Sequence, residues 1–297
     1  MGEKDIIENT LESYNDVFSD IFNVLLFKGK QVIKEADLTD ATPYSIFKAD
    51  GKVREQRRDV AKYWNGTICK LALFGIENQT KVDKTMPLRV LSYDGAAYKT
   101  QLTKKPRKPL YPVVTIVLYF GKRKWIKPSK LTESLKIPEE LKPFISDYKI
   151  NIISVGHIQA ELRKNFKSDF KHIAEFFYCN SHNIPYKGSK EKIDHFFEVL
   201  ELLKVFSSDK DIKQLYNQFK GKELNSQEVH NMCFVMEDAH NRGREQGRAE
   251  GIAEKREEII LKMLENNFTE EQIKTCTGVT TEELEKIKEK LSCTVTK

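Results

Sequence analysis

The sequence predicts an α/β fold in its first half and a helical second half. Two nearly continuous apolar runs, at residues 68–76 and 111–120, are typical of buried strands. After Gln159 the apolar residues instead recur at the three- and four-residue spacing of helices. A chain of 297 residues is long enough for one large domain with an appendage, or for two domains.

The amino-terminal elements follow from periodicity and turn residues. Residues 6–27 are predicted to form a helix with one apolar face, which Gly29 ends. The dipeptide Asp50-Gly51 between residues 44–48 and 53–60 predicts a β-hairpin, because such turns require positive φ angles.

The remaining predicted elements follow in chain order. One helix is predicted to begin at Met86-Pro87. Much later in the chain, glycines 243, 247 and 251 lower the helix propensity of a charged segment, which we interpret as an extended helix joining two parts. Thr280 or Thr281 is predicted to cap the last helix. The predicted strands are 68–76, 111–120 and 149–155, and the predicted helices are 86–101, 166–178, 190–206, 211–220, 226–240, 242–251, 270–275 and 282–291.

These elements suggest three parts: an α/β core at 1–158, a helical extension packed on it at 159–240, and a tail at 241–297. The tail combines the glycine-spaced helix with a small helix-turn-helix-like pair. Because the second helix of that pair is acidic, we interpret it as a packing or oligomerisation element, so a homodimer is one expected partner state.

Composition excludes several classes of protein. No apolar run approaches the ~18 residues of a membrane span, and the acidic start lacks the apolar region of a secretory signal. Five cysteines without a C-x-x-C pair argue against a disulfide framework or zinc cluster. We therefore expect a cytoplasmic protein without a membrane partner.

Basic residues are concentrated in one stretch. Residues 99–132 contain Lys and Arg but no Asp or Glu, although the net charge of the chain is only +6. Such a stretch is either a solvated loop or a surface that attracts a polyanion such as nucleic acid.

Two acidic positions could form a metal site. Glu77 and Gln79 end the first apolar run and, at i and i+2 of a strand, point to the same side, with the carbonyl of Asn78 between them. Asp59 on a neighbouring strand could supply a second carboxylate, or could form a surface ion pair with Arg57 or Arg58. Two carboxylates and a carbonyl are ligands suited to Mg²⁺ or Mn²⁺.

The segments DVFSDIFNVLLF, RRDV, LFGIENQT, DKTMPLRVLSYDGAAYKTQL and YPVVTIVLYFG occur in this order. In this order and spacing they resemble the Rpn (YhgA-like) family of recombination-promoting nucleases and putative transposases, within the PD-(D/E)xK nuclease superfamily. The resemblance covers about the first 240 residues and is tightest from Asp16 to Phe120.

The resemblance implies a restriction-endonuclease-like αβββαβ core, with a mixed sheet flanked by helices, and Mg²⁺-dependent endonuclease activity on double-stranded DNA. Asp59 and Glu77 would be catalytic metal ligands, supported by the Asn78 carbonyl and by Asp16 or Asp20. Gln79 would replace the usual catalytic lysine; its amide can orient water but brings no charge. The residues expected to contact DNA are Arg57, Arg58, Arg89, Lys104, Lys105, Arg107 and Lys108.

Two other functions stay open. The chain could be a catalytically weak or inactive DNA-binding or regulatory protein that keeps the nuclease fold, or an interaction scaffold built on its helical half.

One geometric condition tests the two-carboxylate site. A tight turn at Asn65-Gly66, a strong hairpin signal, would place Asp59 opposite Ala72. Glu77 would then lie about 17 Å away along the strand, too far for one ion. The shared site requires a connection centred near Ile68 instead.

Overall fold

The computed structural model describes residues 11–41, 44–49, 52–66, 71–103, 109–206, 212–213, 216–217 and 232–294. The chain divides into two compact units, Met1–Met236 and Glu237–Lys297.

A mixed five-stranded sheet forms the centre of the first unit, in the order β1-β4-β5-β6-β7. Strand β4 pairs antiparallel with β1 and β5, whereas β5, β6 and β7 run parallel. Strands β2 and β3 form a separate antiparallel hairpin. The strands are β1 Leu38–Asp40, β2 Tyr44–Ala49, β3 Lys52–Arg57, β4 Val60–Trp64, β5 Ala72–Gln79, β6 Val113–Tyr119 and β7 Asn151–Ser154.

Helices cover both faces of this sheet. The helices are α1 Asn15–Leu25, α2 Met86–Thr103, α3 Ala160–Arg163, α4 Phe170–His182 and α5 Phe196–Phe206, with short 3₁₀ segments at Glu35–Asp37, Leu131–Glu133, Glu139–Phe144 and Val155–His157. The even-numbered side chains of β5 and β6, such as Phe74 and Ile116, pack in the main core with α1, α4 and α5. Odd-numbered side chains such as Val117 face α2 through Met86 and Val90.

The second unit contains most of α6 (Met232–Glu265), with α7 (Glu270–Thr277) and α8 (Thr281–Thr294). Its core is formed by Ile260, Ile273, Val279 and Leu284. Within the described part of the chain, no helix is long and apolar enough to cross a membrane.

Local signals predicted several elements correctly. The hairpin at Asp50-Gly51 is confirmed, because Ala49 pairs with Lys52. The extended helix through residues 242–251 is confirmed within α6. Thr280 caps α8 as predicted: its hydroxyl accepts from the Glu283 amide, and the Glu283 carboxylate accepts from the Thr280 amide.

Among the predicted boundaries that differ from the structure, two have a clear local cause. Helix α1 begins at Asn15, because Tyr14 is extended (φ −68°, ψ 136°) and interrupts the helix predicted over residues 6–27. Residues 6–10 of that prediction lie outside the described part of the chain. The strand predicted at 53–60 ends at Arg57, and a new strand begins at Val60, so that Asp59 lies in the bend between two strands.

Candidate functional site

The pairing of β4 with β5 brings the predicted acidic residues together. Val60 pairs with Ile76 and Trp64 pairs with Ala72, so the connection is centred on position 68 rather than at Asn65-Gly66. Extending this register by one residue places Asp59 beside Glu77. This is the register that a shared two-carboxylate site requires.

Asp59 lies against the peptide that joins Glu77 to Asn78. Its Oδ2 atom accepts a hydrogen bond from the Asn78 amide, with an N···O distance of 2.5 Å. The Asp59 side chain is half-buried, so it can face both the sheet and a ligand at the end of β5.

Glu77 is the most deeply buried member of the predicted site, with 1% of its surface exposed. Its Oε2 atom lies 3.3 Å from Nη2 of Arg89, whereas its Oε1 atom is buried without a hydrogen-bond partner among the described residues. Burial raises the pKa of Glu77 well above its ordinary value, Asp59 raises it further, and Arg89 and Arg58 oppose the shift.

Arg89 comes from the first turns of α2 and contacts three side chains. Its Nη1 atom lies 3.0 Å from Oδ2 of Asp83, and its Nη2 atom donates to the Tyr93 hydroxyl at 3.3 Å as well as to Glu77. Burial opposes its charge, but bonds to Tyr93 and Asp83 and the nearby Glu77 raise the pKa of Arg89 above its ordinary value. The guanidinium therefore stays protonated.

Residues 71–210 match a family described as "Putative transposase, YhgA-like". This segment, a little under half of the chain, is similar to that YhgA-like family. The match includes β5 with Glu77 and Gln79, and α2 with Arg89, whereas Asp59 lies before it. Searches among curated proteins and among solved structures give no match.

Gln79 is the last residue of β5. It is half-buried, pairs in register with Tyr119 of β6, and its carbonyl accepts from the Phe120 amide at 2.8 Å. Because alternate residues of a strand share a face, its side chain points to the same side as Glu77. The uncharged side-chain amide therefore lies on the face of β5 that carries the Glu77 carboxylate.

On the opposite face of β5, a further acid contacts the same segment. The Asn78 side chain donates to Oε2 of Glu12 at 2.7 Å, and Glu12 is fully buried. Glu12 was not predicted, because residues 6–27 were predicted as one helix and a charged residue outside its apolar face is expected to be exposed. Only the tertiary packing reveals this contact.

The two acids predicted to support a metal from α1 have other partners. Asp16 lies 3.0 Å from Nε2 of His195. The Oδ2 atom of Asp20 accepts from the amides of Lys167 and Ser168 and from the Ser168 hydroxyl, and so fixes the turn before α4. It is Glu12, rather than Asp16 or Asp20, that hydrogen-bonds to the 77–79 segment.

Arg58 is a correction among the predicted DNA contacts. It is 5% exposed, and its guanidinium pairs with Asp94 at 2.6 Å, because the bend at Asp59 turns it under α2. Such a buried ion pair cannot reach a DNA backbone. The side chain of Arg57 and the whole of Lys104, Lys105, Arg107 and Lys108 lie outside the described residues.

Exposed basic residues follow the ends of both strands nearest the site. Since β5 and β6 are parallel and Gln79 pairs with Tyr119, the chain leaves both strands at the same edge of the sheet. We call these residues the basic edge: Lys81, Lys84, Lys122, Arg123 and Lys124, all exposed. Lys81 and Lys84 were not predicted, since neither belongs to the long basic stretch.

Proposed function

We propose that this protein is a divalent-metal-dependent DNA endonuclease that hydrolyses phosphodiester bonds in recombination. The observation that supports this most strongly is the β4–β5 register, which places Asp59 beside a buried Glu77 that has one oxygen without a partner among the described residues.

The element order supports a restriction-endonuclease-like core of the PD-(D/E)xK type. Helix α1 is followed by β1, β4 and β5 of the sheet, then by α2 and β6, with the β2–β3 hairpin inserted after β1. This order corresponds to αβββαβ, with the candidate acids at the start of β4 and the end of β5.

The donor atoms fit a hard divalent cation. Among the described residues no cluster of three or more His, Cys, Asp or Glu side chains could hold a metal, so two carboxylates would need the Asn78 carbonyl as a third ligand. The backbone groups of Leu73 and Gln79 hydrogen-bond on the β6 side of β5. Because backbone groups of successive strand residues point to opposite sides, those of Asn78 point to the other side, toward Asp59. Asp59, Glu77 and this carbonyl would hold Mg²⁺ or Mn²⁺.

When bound, such an ion lowers the pKa of water and offsets negative charge on the phosphodiester. Within the chain, the carboxylates of Asp59 and Glu77 would hold the metal ion and so orient the phosphodiester and the attacking water. The Gln79 amide can accept a hydrogen bond from the attacking water through its oxygen and donate to a phosphate oxygen through its nitrogen.

Double-stranded DNA is the proposed substrate. The basic edge lies beside Gln79 and presents cations to a polyanion, and phosphate contacts supply most non-specific affinity for DNA. A duplex bound at the basic edge would have its phosphate backbone next to the carboxyl end of β5.

Nicking of supercoiled plasmid tests this function. Wild type should nick in Mg²⁺ or Mn²⁺ but not in EDTA, and Asp59→Ala and Glu77→Ala should abolish nicking while both variants stay folded. Glu140→Ala is a matched control, because Glu140 is exposed in the same unit. Nicking that survives in both site variants would exclude this mechanism.

Gln79 supports a second candidate, a catalytically weak or inactive DNA-binding protein. A neutral amide at this position removes a charge that could stabilise the developing negative charge on phosphate. Gel shifts against salt distinguish the alternatives: salt-sensitive binding without nicking would indicate this second function. Absence of DNA binding would instead favour an interaction scaffold.

A further inference from the structure

We propose that Arg89 supplies, at the scissile phosphate, the positive charge that Gln79 lacks. This role rests on the proposed endonuclease function, and it assigns a catalytic group to α2 rather than to the strand that carries Glu77 and Gln79.

One side of the Arg89 guanidinium is anchored. Its Nη1 atom pairs with Asp83 at 3.0 Å, and Asp83 is itself fixed by the amide and hydroxyl of Thr85 at 2.8 and 2.7 Å. Burial would raise the pKa of Asp83, but these bonds and Arg89 hold it below its ordinary value. The anchor therefore stays ionised.

The other side of the guanidinium is held more loosely. A single atom, Nη2, contacts both Glu77 and Tyr93, each at 3.3 Å, which is beyond the usual range for a charge-assisted hydrogen bond. The side chain is 38% exposed. Nη2 can therefore exchange Glu77 for a phosphate oxygen while Asp83 holds Nη1 in place.

Arg89 is the described arginine that contacts Glu77. Arg58 is buried and paired with Asp94, so it cannot serve in this way. The planar guanidinium of Arg89 presents donors that match phosphate oxygens, and a fixed cation there would stabilise negative charge as it develops on the phosphate.

The same contact makes Arg89 a counterion for Glu77. A divalent cation at Asp59 and Glu77 must approach a fixed positive charge, which weakens its binding. Removing the guanidinium should therefore tighten metal binding while it slows cleavage. A residue that only supports the local structure would weaken both.

The test compares Arg89→Gln and Arg89→Lys with wild type and with the double variant Gln79→Lys/Arg89→Gln. We expect Arg89→Gln to nick plasmid about 10²-fold more slowly and to bind Mn²⁺ more tightly in calorimetry. Arg89→Lys should lie between it and wild type, and the added lysine should restore at least part of the rate. Arg248→Gln removes the same charge from an exposed site on α6 and should change neither value.

The outcomes distinguish a failure of the proposed endonuclease function from a failure of the role of Arg89 alone. Wild type that never nicks in Mg²⁺ or Mn²⁺ would overturn the endonuclease function and the role of Arg89 with it. Wild type that nicks while folded Arg89→Gln nicks equally fast, or binds Mn²⁺ more weakly, would overturn the role of Arg89 alone. If Arg89→Gln fails to fold, Asp83→Asn replaces it: loss of the anchor should slow nicking, and an unchanged rate would overturn the role.

Discussion

Replacing Glu77 with glutamine should stabilise the protein at neutral pH. The wild-type carboxylate is 1% exposed, one of its oxygens has no partner among the described residues, and the other lies 3.3 Å from Arg89. An unsatisfied buried polar group costs about 1–3 kcal/mol, and more when it is charged. Glutamine keeps the shape and the polar atoms and removes only the charge, so the expected gain is the extra cost of the buried charge, about 1–3 kcal/mol.

The gain should depend on pH with a defined sign. Because the pKa of Glu77 is raised in the folded state above its ordinary 4.5, the folded protein holds a proton that the unfolded chain releases. Stability of the wild type must then fall as pH rises from about 4.5 through the folded pKa. Below that window both states are protonated, and the variant should differ little from wild type.

Thermal melts of wild type and Glu77→Gln between pH 4 and 9, in EDTA, measure this effect. For a unit of this size, 1 kcal/mol shifts the Tm by about 2–4 °C, so the difference at pH 8 should exceed the error of the measurement. Glu140→Gln, which changes an exposed acid, should melt like wild type throughout. If Glu77→Gln were less stable at pH 8, or differed equally at all pH values, the inferred buried charge would be wrong.

Three further predictions follow from the fold. Asp94→Asn weakens the buried pair with Arg58, and urea unfolding should show a loss approaching the about 3–5 kcal/mol of a broken buried ion pair; an unchanged midpoint would place Arg58 in solvent. Gly75→Ala would put a Cβ atom 2.6 Å from Cδ of that same arginine, so we expect a loss of about 1–3 kcal/mol, and a neutral result would mean that Arg58 can move away. Arg123→Gln/Lys124→Gln at the basic edge should reduce the slope of log affinity for DNA against log salt by about 1.8; an unchanged slope would exclude this edge from the interface.

Local signals explain why part of the fold was predictable. The dipeptide Asp-Gly favours a two-residue hairpin turn, and the flanking residues Ala49 and Lys52 pair as that turn requires. Thr280 and Glu283 form a capping box at the start of α8. These interactions join residues close in the chain. The turn and the helix start that they form can therefore be predicted from residue spacing alone.

The β4–β5 connection could not be predicted in the same way. Asn65-Gly66 favours a tight turn, but Trp64 is 4% exposed, packs near Phe74 at a ring distance of 5.8 Å, and pairs with Leu38 of β1. Burial of the indole and pairing with two strands outweigh the local turn preference. Position 68 therefore becomes the centre of the connection.

The partners of the charged residues also depend on tertiary packing. Asp20 and Arg58 belong to segments of the chain that could equally face solvent, yet their partners lie 148 and 36 residues away. Glu12 likewise reaches Asn78 across 66 residues. The acids at 59 and 77 were predictable as a pair, whereas the contact of Arg89 with Glu77 was not.

Binding of Mn²⁺, followed by electron paramagnetic resonance of the free ion, tests most directly whether Asp59 and Glu77 hold one cation together. Wild type should bind the ion, and Asp59→Asn and Glu77→Gln should each weaken binding by at least about tenfold, with Glu140→Gln unchanged. Equal affinity in wild type and both site variants would show that these carboxylates do not share a metal.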